Sequence, residues 1–573
     1  MRALVRSIGC AALIAALAHS AWAAATITII NLDGPGEGFN DATAAAPVGG
    51  NPGVTIGQQR LNCFQRAADI WGSILTSAAT ITIRAAFNPL APCNATSGVL
   101  GSAGPRFVEA NHPSFEFQNY WYHEALACKQ AGVDLIPPGT IINGSPDDGS
   151  DIGATFNSNL GVGGCLTGSG WYYGFDHNEG GFIDLLAVLL HEFGHGLGFS
   201  TITSGSTGNY FNGPPALPAV WDKFLFDETQ LLHWDQNTPA QRVSSAINTN
   251  NLTWDGAHTI HQGPLFLSHA PELVVPFGGG SLPANGASFG AALTLGGVTG
   301  QAIVVVDPTA PTADGCETPF TNAAQIAGKI AVIDRGLCNF TLKALNAQNA
   351  GAIGCVIANN GAGPFAPGGS DPAVTIPVIG ITQADGTALK TAIGGGPTSV
   401  TIRLNPTQYA GLHPSGRVRM YAPATFSSGS SVSHFDVSAS PNVLMEPAIN
   451  PDLTDSIDLT EGLFRDIGWL PHLVDLPGRG PSARVALASN PNPASGATNV
   501  HFDLTADERV ELTLYDVSGR SVRELASGPF AAGPHDVRWD GLDARGRLVA
   551  PGVYLARLKG PRTQVTHTLV WMN

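Results

Sequence analysis

The sequence predicts a multidomain fold that combines an α+β domain, an α/β domain and an all-β sandwich. The first observation is the length of 573 residues, which is enough for several domains that each bury a core of their own. The second is a change in composition at about residue 264, after which the chain is rich in Gly, Ala, Val and Ile. The third is a series of alternating apolar and polar segments after residue 490, which is typical of antiparallel β-sheets.

Composition and charge restrict the class of protein. Only 13% of the residues are charged, and the chain contains 70 Gly and 41 Pro, which is typical of loop-rich, β-rich extracellular domains rather than of helical bundles. The formal net charge of -16 argues against nucleic acid and against an anionic membrane surface as partners.

The first residues predict export. Arg2 and Arg6 precede an apolar segment at residues 8–18, and Ala21-Trp22-Ala23 has the A-x-A form of a cleavage site, so residues 1–23 are predicted to be a signal peptide. The apolar segment is too short to span a bilayer, and no later stretch has the required length and apolarity. We therefore expect a secreted, extracellular protein without stable membrane insertion, either free or attached to the cell surface.

The region that follows the signal peptide alternates helical and strand patterns. Residues 58–75 have apolar side chains at helical spacing, residues 79–87 alternate as a strand, and a further strand is predicted at residues 153–157. A helix followed by a strand is typical of an α/β or α+β sheet domain.

The stretch of residues 182–201, FIDLLAVLLHEFGHGLGFST, carries the candidate chemistry. Residues four apart on a helix share a face, so His191 and His195 can offer two imidazole nitrogens to one metal ion, with Glu192 beside a bound water as its general base. This is the zincin arrangement. Asn178 or Asp184 is predicted to cap the helix, and the glycines predict that it ends near Gly198.

The motif HEFGHGLGF resembles that of the metzincin zinc peptidases, HExxHxxGxx(H/D), with Gly198 at the turn glycine. Thr201 stands where most metzincins have the third ligand, and a hydroxyl is not a usual zinc ligand. The third ligand must therefore come from elsewhere. Three residues downstream are conceivable on chemical grounds: Asp222, Glu228 and His233.

The middle of the chain resembles a protease-associated (PA) domain. The segment AGKIAVIDRGLCNFT at residues 327–341, a helix through residues 344–350 and the run GCVIANN carry the resemblance, which covers residues 264–404. Strands are predicted at residues 301–306, 329–333, 352–358 and 376–381. In this family the module is not catalytic and is thought to shape substrate access or binding.

After this block, Ser433-His434-Phe435 leads to Pro441-Asn-Val-Leu-Met445-Glu-Pro. Together with HExxH these segments resemble the leishmanolysin-like branch of the metzincins, in which the third zinc histidine lies far downstream and a Met-turn follows it. The resemblance implies that His434 is the third ligand and Met445 the Met-turn residue. It also implies that residues 24–263 and 405–470 form one metzincin-like catalytic domain, with the PA domain inserted between them.

The C-terminal region, residues 490–573, resembles FlgD-type immunoglobulin-like domains and is similar to the C-terminal sorting domains of secreted bacterial proteins. The resemblance implies the secretion machinery as a partner. Residues 471–489, which contain several Pro and Gly, are predicted to be a linker.

Seven cysteines are expected in the exported chain, since Cys10 lies in the signal peptide. In an oxidising compartment we expect two disulfides among Cys63, Cys93, Cys128 and Cys165, with the pairing left open. One more is expected between Cys316 and Cys338. Cys355 is left over and is predicted to be a buried free thiol.

The predicted function is that of a secreted zinc-dependent endopeptidase that acts on proteins or peptides, with one zinc ion and Glu192 as general base. One alternative is a gluzincin-type peptidase with an acidic third ligand such as Glu228. Another is a non-catalytic secreted binding protein built from the PA and Ig-like modules. Calcium bound by Asp452, Asp455 and Asp458 is conceivable, but the sequence gives no support for it.

Overall fold

The computed structural model describes residues 24–211, 216–361, 363, 365–450, 452–470, 487–490, 494, 497–504, 507–516, 520–531, 533–561 and 564–571. The predicted signal peptide and residues 471–486 of the predicted linker lie outside these ranges. Apart from Pro264–Phe266, the described residues up to Leu470 form one compact unit, and the C-terminal region belongs to a second.

The described residues before residue 267 form short strands and five α-helices. The strands are β1 (Ile27–Asn31), β2 (Ile81–Asn88), β3 (Gly101–Pro105), β4 (Val108–Ala110), β5 (Trp121–His123), β6 (Ile141–Ile142), β7 (Ser145–Pro146), β8 (Ile152–Asn157), β9 (Trp171–Tyr172), β10 (Ile183–Asp184), β11 (Leu225–Asp227), β12 (Leu232–His233) and β13 (Leu252–Trp254). The helices are α1 (Ile56–Ile74), α2 (Glu124–Ala131), α3 (Leu185–Leu197), α4 (Pro239–Ser245) and α5 (Ala257–Phe266).

The main sheet of this part has the strand order β1-β2-β8-β3, in which β1, β2 and β8 are parallel and β3 is antiparallel to β8. Helix α1 begins two residues before the predicted helix because the Thr55 side chain accepts a hydrogen bond from the Gln58 amide and caps it. Its buried Phe64 packs edge-on against Phe156 of the sheet and Phe193 of α3. The core therefore lies between the sheet and the two helices.

The inserted region forms an eight-stranded sheet of order β15-β14-β21-β17-β18-β19-β20-β16. Its strands are β14 (His269–Val274), β15 (Ser281–Pro283), β16 (Asn285–Gly286), β17 (Val298–Val304), β18 (Ile330–Asp334), β19 (Gly354–Ala358), β20 (Val378–Ile381) and β21 (Ser399–Tyr409). Its helices are α6 (Ala323–Ile326), α7 (Phe340–Asn349) and α8 (Gln383–Gly395).

Strands β17 to β20 of this sheet are parallel, and both of its faces are buried. Ile330 and Val332 of β18 belong to one core cluster, whereas Ala331 and Ile333 belong to another. Burial on both faces explains why these strands appear in the sequence as continuous apolar runs rather than as alternating patterns.

The two ends of the insert lie side by side. His269 at the start of β14 is opposite Tyr409 at the end of β21. Beyond the insert, β22 (Val418–Arg419) pairs with β13, with Val418 opposite Trp254. The chain thus leaves the N-terminal sheet region and returns to it, and helix α9 (Thr460–Asp466) follows.

The C-terminal region contains two antiparallel sheets, β23-β24-β27 and β26-β25-β28-β29. The strands are β23 (Leu487–Asn490), β24 (Thr498–Leu504), β25 (Glu508–Asp516), β26 (Ser521–Phe530), β27 (Gly533–Trp539), β28 (Gly552–Lys559) and β29 (Gln564–Trp571). Both sheets contribute to one core around Trp539 and Trp571. The linker prediction was wrong for residues 487–489, since they belong to β23.

The structure corrects the disulfide prediction for two of the cysteines. Cys93–Cys165 and Cys316–Cys338 are disulfides, but Cys63 and Cys128 are buried free thiols, as is Cys355. Cys63 lies in α1 and contacts the Tyr173 carbonyl oxygen, whereas Cys128 lies in α2 and its sulfur accepts a hydrogen bond from the Leu135 amide. The two thiols face different surroundings and behave as small core side chains.

Candidate metal centre

Helix α3 carries the HExxH motif, and its two ends are fixed by the residues around it. The Asp184 carboxylate accepts hydrogen bonds from the amides of Leu186 at 2.8 Å and Ala187 at 3.4 Å, so of the two predicted caps Asp184 is the one observed. The helix ends at Leu197, and Gly198 follows with a φ of +123°, a conformation that favours glycine.

Two glycines inside α3 allow its neighbours to approach closely. A Cβ atom on Gly194 would lie 2.8 Å from the sulfur of Met445, and one on Gly196 would lie 2.5 Å from Cγ2 of Ile152 in β8. Close packing on both sides of α3 therefore explains why the helix contains Gly194 and Gly196, although glycine is unfavourable in a helix interior. Met445 is fully buried against this face of the helix.

The fold brings three histidines together. The Nε2 atoms of His191 and His195 are 3.1 Å apart, those of His195 and His434 are 3.2 Å apart, and those of His191 and His434 are 3.3 Å apart. His434 is 239 residues from His195 in the chain. The cluster therefore unites the segments before and after the insert.

The tautomer of each ring is fixed by a carbonyl group. Because a carbonyl oxygen can only accept a hydrogen bond, the Nδ1 atom that contacts it carries the proton, and Nε2 presents its lone pair. The Nδ1 atoms donate at 2.8 Å to three backbone oxygens: His191 to Leu444, His195 to Phe199, and His434 to Ser430.

This arrangement fits a zinc ion. Three lone pairs that face one another cannot hydrogen-bond together, but they can all be donated to one cation. Nitrogen ligands at about 2.0–2.1 Å from a tetrahedral zinc lie about 3.3–3.4 Å from each other, close to the distances between the three Nε2 atoms. Burial lowers the pKa of His191 to about 4 and that of His434 to about 3, and it lowers the pKa of His195 well below its usual range. The rings are therefore neutral at pH 7, as metal ligands must be.

Glu192 lies next to this cluster on α3. Its Oε2 accepts a hydrogen bond of 3.0 Å from the amide of Ala103 in β3. Burial raises the pKa of the Glu192 carboxyl to about 7. A carboxylate of that basicity can both accept and release a proton near neutral pH.

The alternative ligands lie outside the histidine cluster, each with other partners. Asp222 is fully buried and accepts a hydrogen bond of 2.7 Å from the Thr201 hydroxyl. Glu228 accepts one of 2.6 Å from the Ser415 hydroxyl, and His233 contacts Asp255 at 2.8 Å. The amide of Thr201 donates to the Ser433 hydroxyl at 3.2 Å. Thr201 therefore holds the segment that carries His434 and does not act as a ligand.

Asp458 supports the site in a way that the sequence did not indicate. Its sequence position predicts a capping box with Glu461 at the start of α9, but the box does not form, because Leu459 is the cap residue and the Glu461 side chain binds Arg465. Oδ1 of Asp458 still accepts a hydrogen bond of 3.2 Å from the amide of Thr460, the first residue of α9. In addition, Oδ2 of the half-buried Asp458 accepts a hydrogen bond of 2.6 Å from the Leu444 amide. Since the Leu444 carbonyl orients His191, this carboxylate positions a candidate ligand through one backbone residue.

His177 is another supporting residue. Its Nδ1 lies 2.6 Å from a carboxylate oxygen of Asp184, the cap of α3, and its Nε2 lies 3.2 Å from Asp455. Hydrogen bonds to Asp184 and then Asp455 raise the pKa of His177 to about 10. Asp455 also pairs with Arg66 at 2.7 Å, so it serves this ion pair network.

A cavity of about 350 Å³ lies beside the N-terminal half of α3. Ala187, one helical turn before His191, contributes to its wall. Its apolar lining residues include Leu100, Phe182, Ile183, Ile449 and Leu453.

Comparison with protein families identifies two domains. The PA domain family matches residues 298–389, and the FlgD Ig-like domain family matches residues 489–563. Both predicted resemblances are thereby confirmed.

Several characterised proteins are similar to parts of this chain. The minor extracellular protease Vpr of Bacillus subtilis (strain 168) is 37% identical over 86 residues, which is 15% of this chain and 10% of Vpr. The probable lipoprotein aminopeptidase LpqL of Mycobacterium tuberculosis (strain ATCC 25618 / H37Rv) is 28% identical over 170 residues, 29% of this chain and 33% of LpqL. Leucine aminopeptidase 2 of Arthroderma otae (strain ATCC MYA-4605 / CBS 113480) is 40% identical over 79 residues, 13% of this chain and 16% of that protein. The chain thus spans between a tenth and a third of each relative.

Two solved structures are similar to short regions of this chain. The zinc aminopeptidase BSAP of Bacillus subtilis is 26% identical, with a TM-score of 0.19, over 26% of this chain and 36% of BSAP. FlgD of P. aeruginosa is 27% identical, with a TM-score of 0.11, over 13% of this chain and 57% of FlgD.

Among the described residues, no helix has both the length and the apolarity to cross a membrane. The chain therefore contains a PA domain and a FlgD Ig-like domain, beside a separate region that carries the histidine cluster.

Proposed function

We propose that the protein is a zinc-dependent peptidase in which His191, His195 and His434 hold the metal and Glu192 is the general base. The observation that carries this proposal is the convergence of three neutral Nε2 atoms at 3.1–3.3 Å from one another, beside a carboxylate. The names of the relatives, among them an extracellular protease and several aminopeptidases, also support a peptidase and a location outside the cytoplasm.

In the proposed reaction, bound zinc supplies Lewis acidity, which makes water a better nucleophile and polarises the scissile carbonyl group. Glu192 accepts the proton of the attacking water and passes it to the leaving amine. The Ala103 amide holds one oxygen of this carboxylate and leaves the other free to face the water. Met445 packs beneath the site without a chemical role.

An endopeptidase of the metzincin type is the more specific form of the proposal, and it is supported by the position of β3. Among the described residues, this strand is at the edge of its sheet and pairs only with β8. Its other side faces the site, since the Ala103 amide points to Glu192. An extended peptide can add to such an edge as a further strand, which aligns a bond in the middle of a chain with the catalytic carboxylate.

An aminopeptidase is the second candidate, and the names of LpqL and leucine aminopeptidase 2 favour it. The relatives named as aminopeptidases favour a zinc peptidase outside the metzincins, which is closer to the gluzincin alternative. Glu228, the acidic third ligand named for that alternative, accepts a hydrogen bond from the Ser415 hydroxyl and lies outside the histidine cluster. That the FlgD-like domain contacts the secretion machinery stays a prediction.

One experiment separates these functions. The zinc-loaded protein is incubated with an N-acetylated fluorogenic peptide and with a leucine anilide, each with and without a chelator. We expect chelator-sensitive cleavage of the blocked peptide alone. Hydrolysis of the anilide alone would identify an aminopeptidase, and zinc binding without hydrolysis of any tested protein or peptide would favour the non-catalytic binding protein.

A further inference from the structure

A second group of potential metal ligands lies in the PA domain, away from the histidine cluster. Asp307, Asp314 and Glu317 each place one carboxylate oxygen within 4.8 Å of those of the other two. Asp307 and Asp314 are only 1% and 2% exposed, whereas Glu317 is exposed. The cluster is thus buried on one side and open to solvent on the other.

The Asp307 carboxylate is incompletely satisfied by the protein. Its Oδ2 accepts a hydrogen bond of 2.7 Å from the Gly315 amide. Its Oδ1 is buried and accepts no hydrogen bond from any residue in the described part of the chain. A buried carboxylate oxygen without a partner is unfavourable, so this atom points to an ion or a water molecule as its missing partner.

The charges of the surrounding groups indicate what kind of ligand this is. Three carboxylates carry a charge of -3, and the buried ammonium of Lys343, 4.0 Å from Oδ2 of Asp314, contributes +1. The remaining -2 matches one divalent cation. A single proton would neutralise only half of it.

The loops that carry the three carboxylates are fixed in place. Cys316, which lies between Asp314 and Glu317 in the chain, forms a disulfide with Cys338. The amide of Leu337, next to Cys338, donates to Oδ2 of Asp314 at 3.4 Å. The end of β17 and the disulfide loop therefore meet at the cluster, where a bound cation would join them.

We propose that Asp307, Asp314 and Glu317 form a calcium site in the PA domain. All three ligands are hard oxygen donors, which select against zinc in favour of calcium or magnesium. Calcium accepts irregular coordination, and the exposed side of the cluster leaves room for the water molecules that complete it. Extracellular modules bind calcium with a Kd of about 10⁻⁴–10⁻³ M, and we expect this range here.

The test uses the full-length, zinc-loaded protein, with calcium binding followed by equilibrium dialysis and by thermal unfolding. We expect calcium to raise the unfolding temperature of the parent. Glu317→Gln, an exposed substitution that leaves the fold intact, should weaken calcium binding at least about tenfold, and Asp307→Asn should do the same. Asp371→Asn, which changes another carboxylate of the same domain, should bind calcium like the parent.

Two outcomes would overturn the proposal. In the first, Glu317→Gln and Asp307→Asn bind calcium as tightly as the parent. In the second, calcium neither binds to the parent in equilibrium dialysis nor raises its unfolding temperature. Since neither measurement depends on peptide hydrolysis, failure here leaves the proposed peptidase function untouched.

Discussion

Among individual residues, Glu192 has the most sharply defined chemical role. It stands beside the histidine cluster without belonging to it, and its carboxylate is held by the Ala103 amide. Glu192→Gln should therefore lower kcat/KM for a peptide substrate by about 10²- to 10⁴-fold, with zinc still bound at about one ion per chain. Activity assays and metal analysis on the same samples measure both quantities. A variant that retains parental activity would remove Glu192 from the mechanism.

His434 is the residue whose assignment depends most on the fold. If it is the third ligand, His434→Ala should weaken zinc binding by at least about 100-fold, because the loss of even an outer-shell partner commonly costs 10–100-fold. Zinc affinity is measured by competition with a chelating dye.

His233→Ala is the control for this prediction, since His233 is another candidate ligand by sequence but pairs with Asp255. It should bind zinc like the parent. The opposite pattern, with zinc lost in the control and kept in His434→Ala, would contradict the assignment of the third ligand.

At the level of secondary structure, the start of α3 depends on an ion pair network. The pKa of His177 is raised to about 10 in the folded state, above the value of about 6.5 expected in the unfolded chain. A group with a raised folded pKa contributes stability that is complete below pH 6.5 and is lost as the pH rises through 10.

His177→Asn tests this network, since Asn tolerates the positive φ of 52° at this position but cannot carry the charge. We expect a loss of about 1–3 kcal/mol of unfolding free energy at pH 6, with a smaller difference from the parent at pH 10. Denaturant unfolding at several pH values provides the measurement, with the exposed His261→Asn as control. A difference that does not change with pH would show that the charge of His177 is unimportant.

For the whole molecule, the separation into two compact units predicts that the C-terminal domain can be removed. A chain that ends at Leu470 should fold, bind zinc and cleave peptides at a rate within about twofold of the parent, because a compact unit retains its own core.

A shorter chain makes this truncation a sharper test. The indole of Trp469 donates a hydrogen bond of 2.7 Å to the Leu197 carbonyl at the end of α3, and the side chain is fully buried. A chain that ends at Asp466 should therefore lose stability and zinc. Circular dichroism and metal analysis compare the two. If both truncated chains lose zinc, the catalytic region and the C-terminal domain do not fold independently.

The sequence by itself determined the local helices and strands and the order of the domains along the chain. Helix α3, its cap Asp184 and its end at Gly198 are all encoded within about 15 residues, because capping and helical spacing are short-range effects. Only the tertiary structure decided that Ala103 meets Glu192, and that Cys93 pairs with Cys165 while Cys63 stays free. It also places His434 beside His195 across 239 residues, which the sequence indicated only through a family resemblance. Such contacts depend on how whole elements pack, and the periodicity of a single segment contains no information about its distant partner.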